Sequence, residues 1–123
     1  MSGSHRRAAA LVTALVAMTT AGCTSTSPPP SCGDYTLAQG ESIPQAAVDC
    51  MSKADDDDAL RVTAPTTEGD PIVTVYRRGA YGGFVTEIDS AQDGFGGGTA
   101  IFECREAVSV VDLGECTELH EGD

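Results

Sequence analysis

Residues 59–104 read ALRVTAPTTEGDPIVTVYRRGAYGGFVTEIDSAQDGFGGGTAIFEC, and this stretch decides the fold. Four of its segments are rich in β-branched and apolar residues, which is typical of β-strands. These segments are ALRVTA, PIVTVYRR, FVTEIDS and TAIFEC. The second is apolar on both faces, which favours an inner strand. Between the four lie PTTEGDP, GAYGG and AQDGFGGG, whose glycine, proline and aspartate residues indicate turns. We therefore expect four strands joined by hairpins in an antiparallel sheet.

A helix is predicted just before this stretch, in GESIPQAAVDCMSKA, residues 40–54. Its apolar residues recur at helical spacing and form one face. That face consists of Ile43, Ala47, Cys50, Met51 and Ala54. Ser42 and Gln45 have the spacing of a capping box, and Pro44 suits the first turn. Four carboxylates follow at Asp55–Asp58 and oppose the helix macrodipole, so we expect the helix to end there.

These elements predict an α+β domain over residues 32–123, with one N-terminal helix packed on an antiparallel sheet of about four strands. The chain after Cys104 is ambiguous. Its AVSVV segment, residues 107–111, fits either a fifth strand or irregular structure that Cys116 ties down.

Cysteine usage indicates an oxidising compartment. The chain has five cysteines, and four of them lie in the predicted domain: Cys32, Cys50, Cys104 and Cys116. In an exported domain of this size, four cysteines predict two disulfides. Three pairings are possible. We expect the local pairs Cys32–Cys50 and Cys104–Cys116, while a Cys50–Cys104 bridge remains an alternative because Cys50 lies on the predicted buried face.

The N-terminus has the pattern of a secretory signal peptide, residues 1–22. Arg6 and Arg7 precede a short uncharged apolar run that is too short to span a bilayer. Ala21 and Gly22 then precede Cys23, an arrangement that resembles the lipobox of bacterial lipoproteins, although Thr20 stands where that pattern usually has leucine. The resemblance implies lipidation of Cys23, which would also account for the odd cysteine.

Residues 23–31 would form the lipidated cysteine and a spacer. The sequence TSTSPPPS after Cys23 combines a proline run, which favours extended polyproline II structure, with polar residues that keep it solvated. Such a segment builds no core, and it would hold a folded domain away from a membrane surface.

The charge of the chain excludes one class of partner. Cleavage after residue 22 removes two of the seven cations and leaves all 19 carboxylates, so the net charge of the mature chain is −14. An anionic surface of this kind repels phosphate backbones, and we expect no nucleic-acid binding. It also repels anionic headgroups, so membrane attachment would depend on the lipid at Cys23.

Catalytic and metal-binding patterns are weak. Imidazole-based catalysis would have to use His120, in a tail that reads as solvated, and we predict no catalytic residues and no cofactor. Carboxylates at Asp55 and Asp57, with Asp89 or Asp93, suit calcium chemically but lack the spacing of an EF-hand loop, so we predict no metal site.

Two aromatic residues in glycine-rich turns are candidates for recognition. Tyr81 lies in GAYGG and Phe95 in DGFGGG, and we expect both rings to pack partly onto the ends of the sheet. A recognition tip formed by the two residues together is the alternative.

Several blocks of the domain resemble a group of small actinobacterial lipoproteins of unknown function. The blocks are CGDYTLAQGESIPQAAVDCM, TTEGDPIVT, DGFGGGT and VSVVDLGEC, and they extend over nearly the whole mature domain. The resemblance implies extracytoplasmic anchoring and two disulfides within the domain. It implies no activity and no functional site.

From these patterns we predict a monomeric lipoprotein, anchored through Cys23 on the extracytoplasmic face of the cell membrane. Its domain would be non-enzymatic and would bind an unidentified protein or small ligand. The alternative is a small secreted enzyme or an enzyme inhibitor that uses the acidic surface.

Overall fold

The computed structural model describes residues 28–120. The predicted signal peptide, Cys23 and the first part of the spacer lie outside these residues. One helix and six strands follow in chain order: β1 Asp34–Thr36, α1 Gln45–Ser52, β2 Ala59–Pro65, β3 Pro71–Arg78, β4 Phe84–Asp89, β5 Thr99–Cys104 and β6 Thr117–Leu119.

The six strands form one mixed sheet in the order β1-β2-β3-β4-β5-β6. From β2 onward each neighbour is antiparallel, as the hairpin pattern predicted. β1 instead runs parallel to β2, with Tyr35 opposite Val62. The expectation of about four strands, all antiparallel, was therefore wrong. β1 and β6 have three residues each, too few to leave a recognisable alternation.

The helix is not N-terminal, because β1 precedes it. A parallel pair needs a crossover connection, and α1 lies within that connection. The helix returns the chain across the sheet, so that β2 begins beside the start of β1.

The core lies between this helix and one face of the sheet. Ala47 and Met51 of α1 are buried together with Leu60 and Val62 of β2 and with Phe84 of β4. The remaining positions of the predicted helix face, Ile43, Cys50 and Ala54, pack against the core and are partly buried. The predicted apolar face is therefore the one that contacts the sheet.

The helix boundaries differ from those predicted. Pro44 is the N-cap residue, and no side chain caps the helix, so the Ser42 capping box does not form. The fixed φ of Pro44 and its extended ψ of 140° start the helix instead. The helix ends at Ser52, just before Asp55–Asp58.

Two disulfides hold the segments that flank the central strands. Cys32 pairs with Cys50, across a Cα–Cα distance of 5.6 Å, and joins the chain before β1 to the last turn of α1. Cys104 pairs with Cys116, across 4.2 Å, and closes the segment between β5 and β6. In that segment AVSVV is irregular and not a fifth strand, although its Val110 is buried.

The connections fall at two ends of the sheet. One, the spacer end, holds the chain before β1, the acidic turn after α1, the β3–β4 turn and the segment after β5. Residues 28–31, 53–58, 79–83 and 105–116 form it. The opposite end holds the chain entering α1, the β2–β3 turn and the β4–β5 loop. These are residues 38–44, 66–70 and 90–98.

Candidate functional site

The β4–β5 loop presents one phenylalanine to solvent. Phe95 lies near its middle, and 89% of the residue's surface is exposed. The loop is nonetheless internally hydrogen-bonded. The Ser90 amide and hydroxyl both donate to the Gly98 carbonyl, each at 2.9 Å. The Phe95 amide donates to Oδ1 of Asp93 at 3.0 Å. The backbone that carries the ring is therefore held in place while the ring itself is free.

Glycine is required at one point of this loop. A Cβ atom on Gly96 would overlap the Ser90 carbonyl oxygen and would lie 2.8 Å from the Ser90 side chain. Gly97, next in sequence, has open space around the equivalent position. The loop is thus closely packed at Gly96 and open at Gly97.

The β2–β3 turn supports this loop from the neighbouring hairpin. The Gly94 amide lies 3.4 Å from Oδ2 of Asp70, to which it donates a hydrogen bond. Asp70 is itself fixed by Thr66, whose amide donates to the Asp70 carbonyl at 2.8 Å and whose Oγ1 accepts from the Asp70 amide at 3.1 Å. We call residues 66–70 and 90–98, together with the flanking Asp89, the distal tip.

The distal tip is uniformly acidic. Its charged side chains are Glu68, Asp70, Asp89 and Asp93. The cations of the described residues lie elsewhere, at Lys53, Arg61, Arg77, Arg78 and Arg105. Within residues 28–120, then, the tip that carries this exposed ring has carboxylates as its only charged side chains. Sequence reasoning singled out Phe95 but missed Asp70 and its turn.

Tyr81 does not belong to this tip. It lies in the β3–β4 turn at the spacer end, and 76% of its surface is exposed. Its ring is stacked against Arg105, whose guanidinium carbon is 4.9 Å from the ring centroid. Successive hairpin turns lie at opposite ends of a strand, and six residues of β4 separate these two by about 20 Å. The shared recognition tip, considered as an alternative, therefore does not form, and the expected packing onto the sheet end was wrong for Phe95, which is 89% exposed.

The described part of the spacer lies beside the uncovered face of the sheet. Pro28, Pro29 and Pro30 border a groove of about 500 Å³ that Val75 and the arginines Arg61 and Arg77 also line. Ser31 then accepts a hydrogen bond from the Ala59 amide at 3.1 Å, at the first residue of β2. The chain therefore leaves the sheet at the spacer end.

The carboxylates considered for calcium do not meet. Asp55 and Asp57 belong to the acidic turn at the spacer end, whereas Asp89 and Asp93 flank the loop at the opposite end. No group of three or more metal-ligating side chains occurs within residues 28–120. His120 follows β6 and is exposed.

The pKa values of Asp58, Tyr76 and Arg105 are shifted from their ordinary values, each by a local cause. The Asp55 amide, which donates to Asp58 Oδ2 at 2.8 Å, and the Ser31 hydroxyl both lower the pKa of Asp58. Burial raises the pKa of Tyr76 on the covered face of the sheet. Hydrogen bonding to Glu103 raises the pKa of Arg105. The larger cause of the Asp58 shift, the Asp55 amide, lies within the acidic turn, and the Ser31 contact joins that turn to the spacer.

Comparison with known protein families, with curated proteins and with solved structures gave no match. Among the helices of the described residues, none is long and apolar enough to cross a membrane.

Proposed function

We propose that this chain is a lipoprotein of the extracytoplasmic membrane face, and that its domain acts by binding and not by catalysis. The observation that carries the proposal is the use of the cysteines. Four of the five pair with one another in two disulfides, so Cys23 has no cysteine left in this chain to pair with. An odd thiol in an oxidising compartment needs another fate, and lipidation supplies one.

The sequence around Cys23 supports the same assignment. It follows a signal-peptide pattern, and the domain resembles small actinobacterial lipoproteins. Two acyl chains are enough for stable anchoring. Because only four residues separate Cys23 from Pro28, a fully extended chain would reach about 17 Å, and the spacer end would stay close to the bilayer.

Exposed apolar side chains at the spacer end support this orientation. The spacer end exposes apolar side chains at Tyr81, Val108 and Val111, beside Arg105. A tyrosine with a polar hydroxyl and an apolar ring suits the boundary between water and lipid. Because the spacer end also carries the acidic turn Asp55–Asp58, the point where the spacer leaves the sheet, and not charge, would turn the distal tip away from the membrane.

The anchoring is tested by the variant Cys23→Ser, produced in an actinobacterial host. We expect it to leave the membrane fraction or to remain uncleaved, and we expect mass spectra of the wild-type chain to show a diacylglyceryl-modified N-terminal peptide. The matched control is Thr20→Leu, which restores the usual lipobox and should keep the lipid. A mature chain that stays in the membrane with an unmodified Cys23 would refute the proposal.

A further inference from the structure

We infer that the distal tip binds a protein partner that presents an apolar pocket surrounded by lysine or arginine side chains, with Phe95 entering the pocket. This inference rests on the proposed function, because it assigns a partner to an extracytoplasmic binding domain. It names the surface used, residues 66–70 and 90–98 with Asp89, and the chemistry of what that surface contacts.

The exposure of Phe95 is the first argument. A phenylalanine with 89% of its surface in water contributes little to the fold. Buried aromatic side chains are among the residues that dominate binding at protein interfaces. Phe95 is thus available to a partner at no cost to the core.

The order of the loop is the second argument. The Ser90–Gly98 hydrogen bonds close the loop at its base, and the Asp70 and Asp93 carboxylates accept from the amides of Gly94 and Phe95. A loop that is already ordered loses less conformational entropy when it binds. The same packing excludes a side chain at Gly96, so the backbone near the ring has little freedom to collapse over it.

The charge around Phe95 selects the partner. Glu68, Asp70, Asp89 and Asp93 share the distal tip with the ring, and the cations of the described residues lie outside the tip. Complementary potentials favour a cationic partner and speed its encounter. Nucleic acids and anionic lipid surfaces would be repelled, and two tips of this chain would repel each other. A protein with basic residues around an apolar pocket fits both features.

The position of the tip is the fourth argument. Phe95 lies at the end of the sheet opposite to the point where the spacer leaves it. With the spacer end held near the bilayer, the tip would be the part of the domain that reaches farthest outward. A partner in the envelope could bind it without displacing the anchor.

The test places a photoreactive p-benzoylphenylalanine at position 95 of the full chain in cells that produce it. The matched control carries the same group at position 81, since Tyr81 is also an exposed aromatic but lies at the spacer end. We expect a protein cross-link at position 95 that exceeds the one at 81 by at least about tenfold. The partner peptide should contain apolar residues flanked by lysine or arginine.

A charge reversal completes the test. Glu68→Lys leaves the Phe95 loop hydrogen bonds intact and should lower cross-linking at position 95 several-fold at low salt, with a smaller effect at high salt. Equal cross-linking at positions 95 and 81 would overturn the inference. So would a cross-link at 95 to lipid, to a second copy of this chain, or to a partner site without basic residues.

The anchoring is scored separately on the same chain, from the mass of its N-terminal peptide. A lipidated Cys23 without the position-95 cross-link refutes the inference alone. An unmodified Cys23 with the cross-link refutes the anchoring alone.

Discussion

Removal of the Cys32–Cys50 disulfide should lower the free energy of unfolding by about 3 kcal/mol. The two cysteines are 18 residues apart in sequence. In the chain-entropy model, opening a loop of that size costs about 3.2 kcal/mol at 25 °C. Small domains are typically stable by about 5–15 kcal/mol, so Cys32→Ala with Cys50→Ala removes a large fraction of the total.

The loss should be concentrated in the helix. α1 has eight residues, and a helix of that length is unstable on its own in water. Besides the disulfide, the buried side chains Ala47 and Met51 and the partly buried side chains beside them hold the helix against the sheet. Without the disulfide, local opening of α1 should become easier than opening of the central strands.

The matched control is the second disulfide. Cys104 and Cys116 are 12 residues apart, and the same model gives about 2.8 kcal/mol for their removal. The two double-alanine variants should therefore lose similar total stability but in different places. The control should expose residues 105–116 and β6 to exchange and should leave α1 protected.

Urea unfolding measures the totals, and amide hydrogen exchange locates the losses. For the Cys32–Cys50 variant we expect the urea midpoint to fall by about 2 M, with a selective loss of protection in α1. A fall of less than about 1 kcal/mol in water would contradict the entropic estimate. Unchanged protection of α1 would show that its side-chain packing alone holds the helix.

Two further predictions concern the distal tip and the acidic turn. Gly96→Ala should destabilise the chain by about 1–3 kcal/mol and remove exchange protection from the β4–β5 loop, whereas Gly97→Ala should change stability by less than about 0.5 kcal/mol. Urea unfolding and hydrogen exchange measure both variants. Equal effects of the two substitutions would contradict the close packing described at Gly96. In the folded state the Asp55 amide holds the pKa of Asp58 below its ordinary value of 3.8. Its stabilising contribution is therefore complete above that value and is lost as pH falls through the folded-state pKa. Asp58→Asn should therefore lower the melting temperature at neutral pH but not at strongly acidic pH, and Asp56→Asn is the control. A melting temperature of Asp58→Asn that stays below that of the unsubstituted chain in acid would contradict this reasoning.

The central strands could be predicted from sequence because their side chains alternate. Leu60 and Val62 of β2 are buried, and Arg61 between them is exposed. Phe84 and Thr86 of β4 are buried in the same way. Turns rich in glycine, proline and aspartate then fixed the hairpin order, and the inner position predicted for PIVTVYRR is that of β3.

β1 could not be recognised in the same way. Its three residues show one partly buried side chain, Tyr35, between the exposed Asp34 and Thr36. What forms the strand is its pairing with β2, including the ion pair between Asp34 and Arg61 at 3.3 Å. Such pairing depends on the helix returning the chain, which is a property of the tertiary fold and not of the segment.

The separation of Tyr81 from Phe95, in contrast, was within reach of the sequence. If PIVTVYRR, FVTEIDS and TAIFEC are successive strands of an antiparallel sheet, the turns that join them must alternate between its two ends. Tyr81 lies in the first of these turns and Phe95 in the second, so a shared tip contradicts the predicted topology itself. The same reasoning places the β2–β3 turn beside Phe95, and this is where the structure has Asp70 bound to the Gly94 amide. In a sheet of successive hairpins, alternate turns lie at the same end of the sheet. Candidate residues for one site should therefore first be sought in alternate turns, and only then compared by residue type.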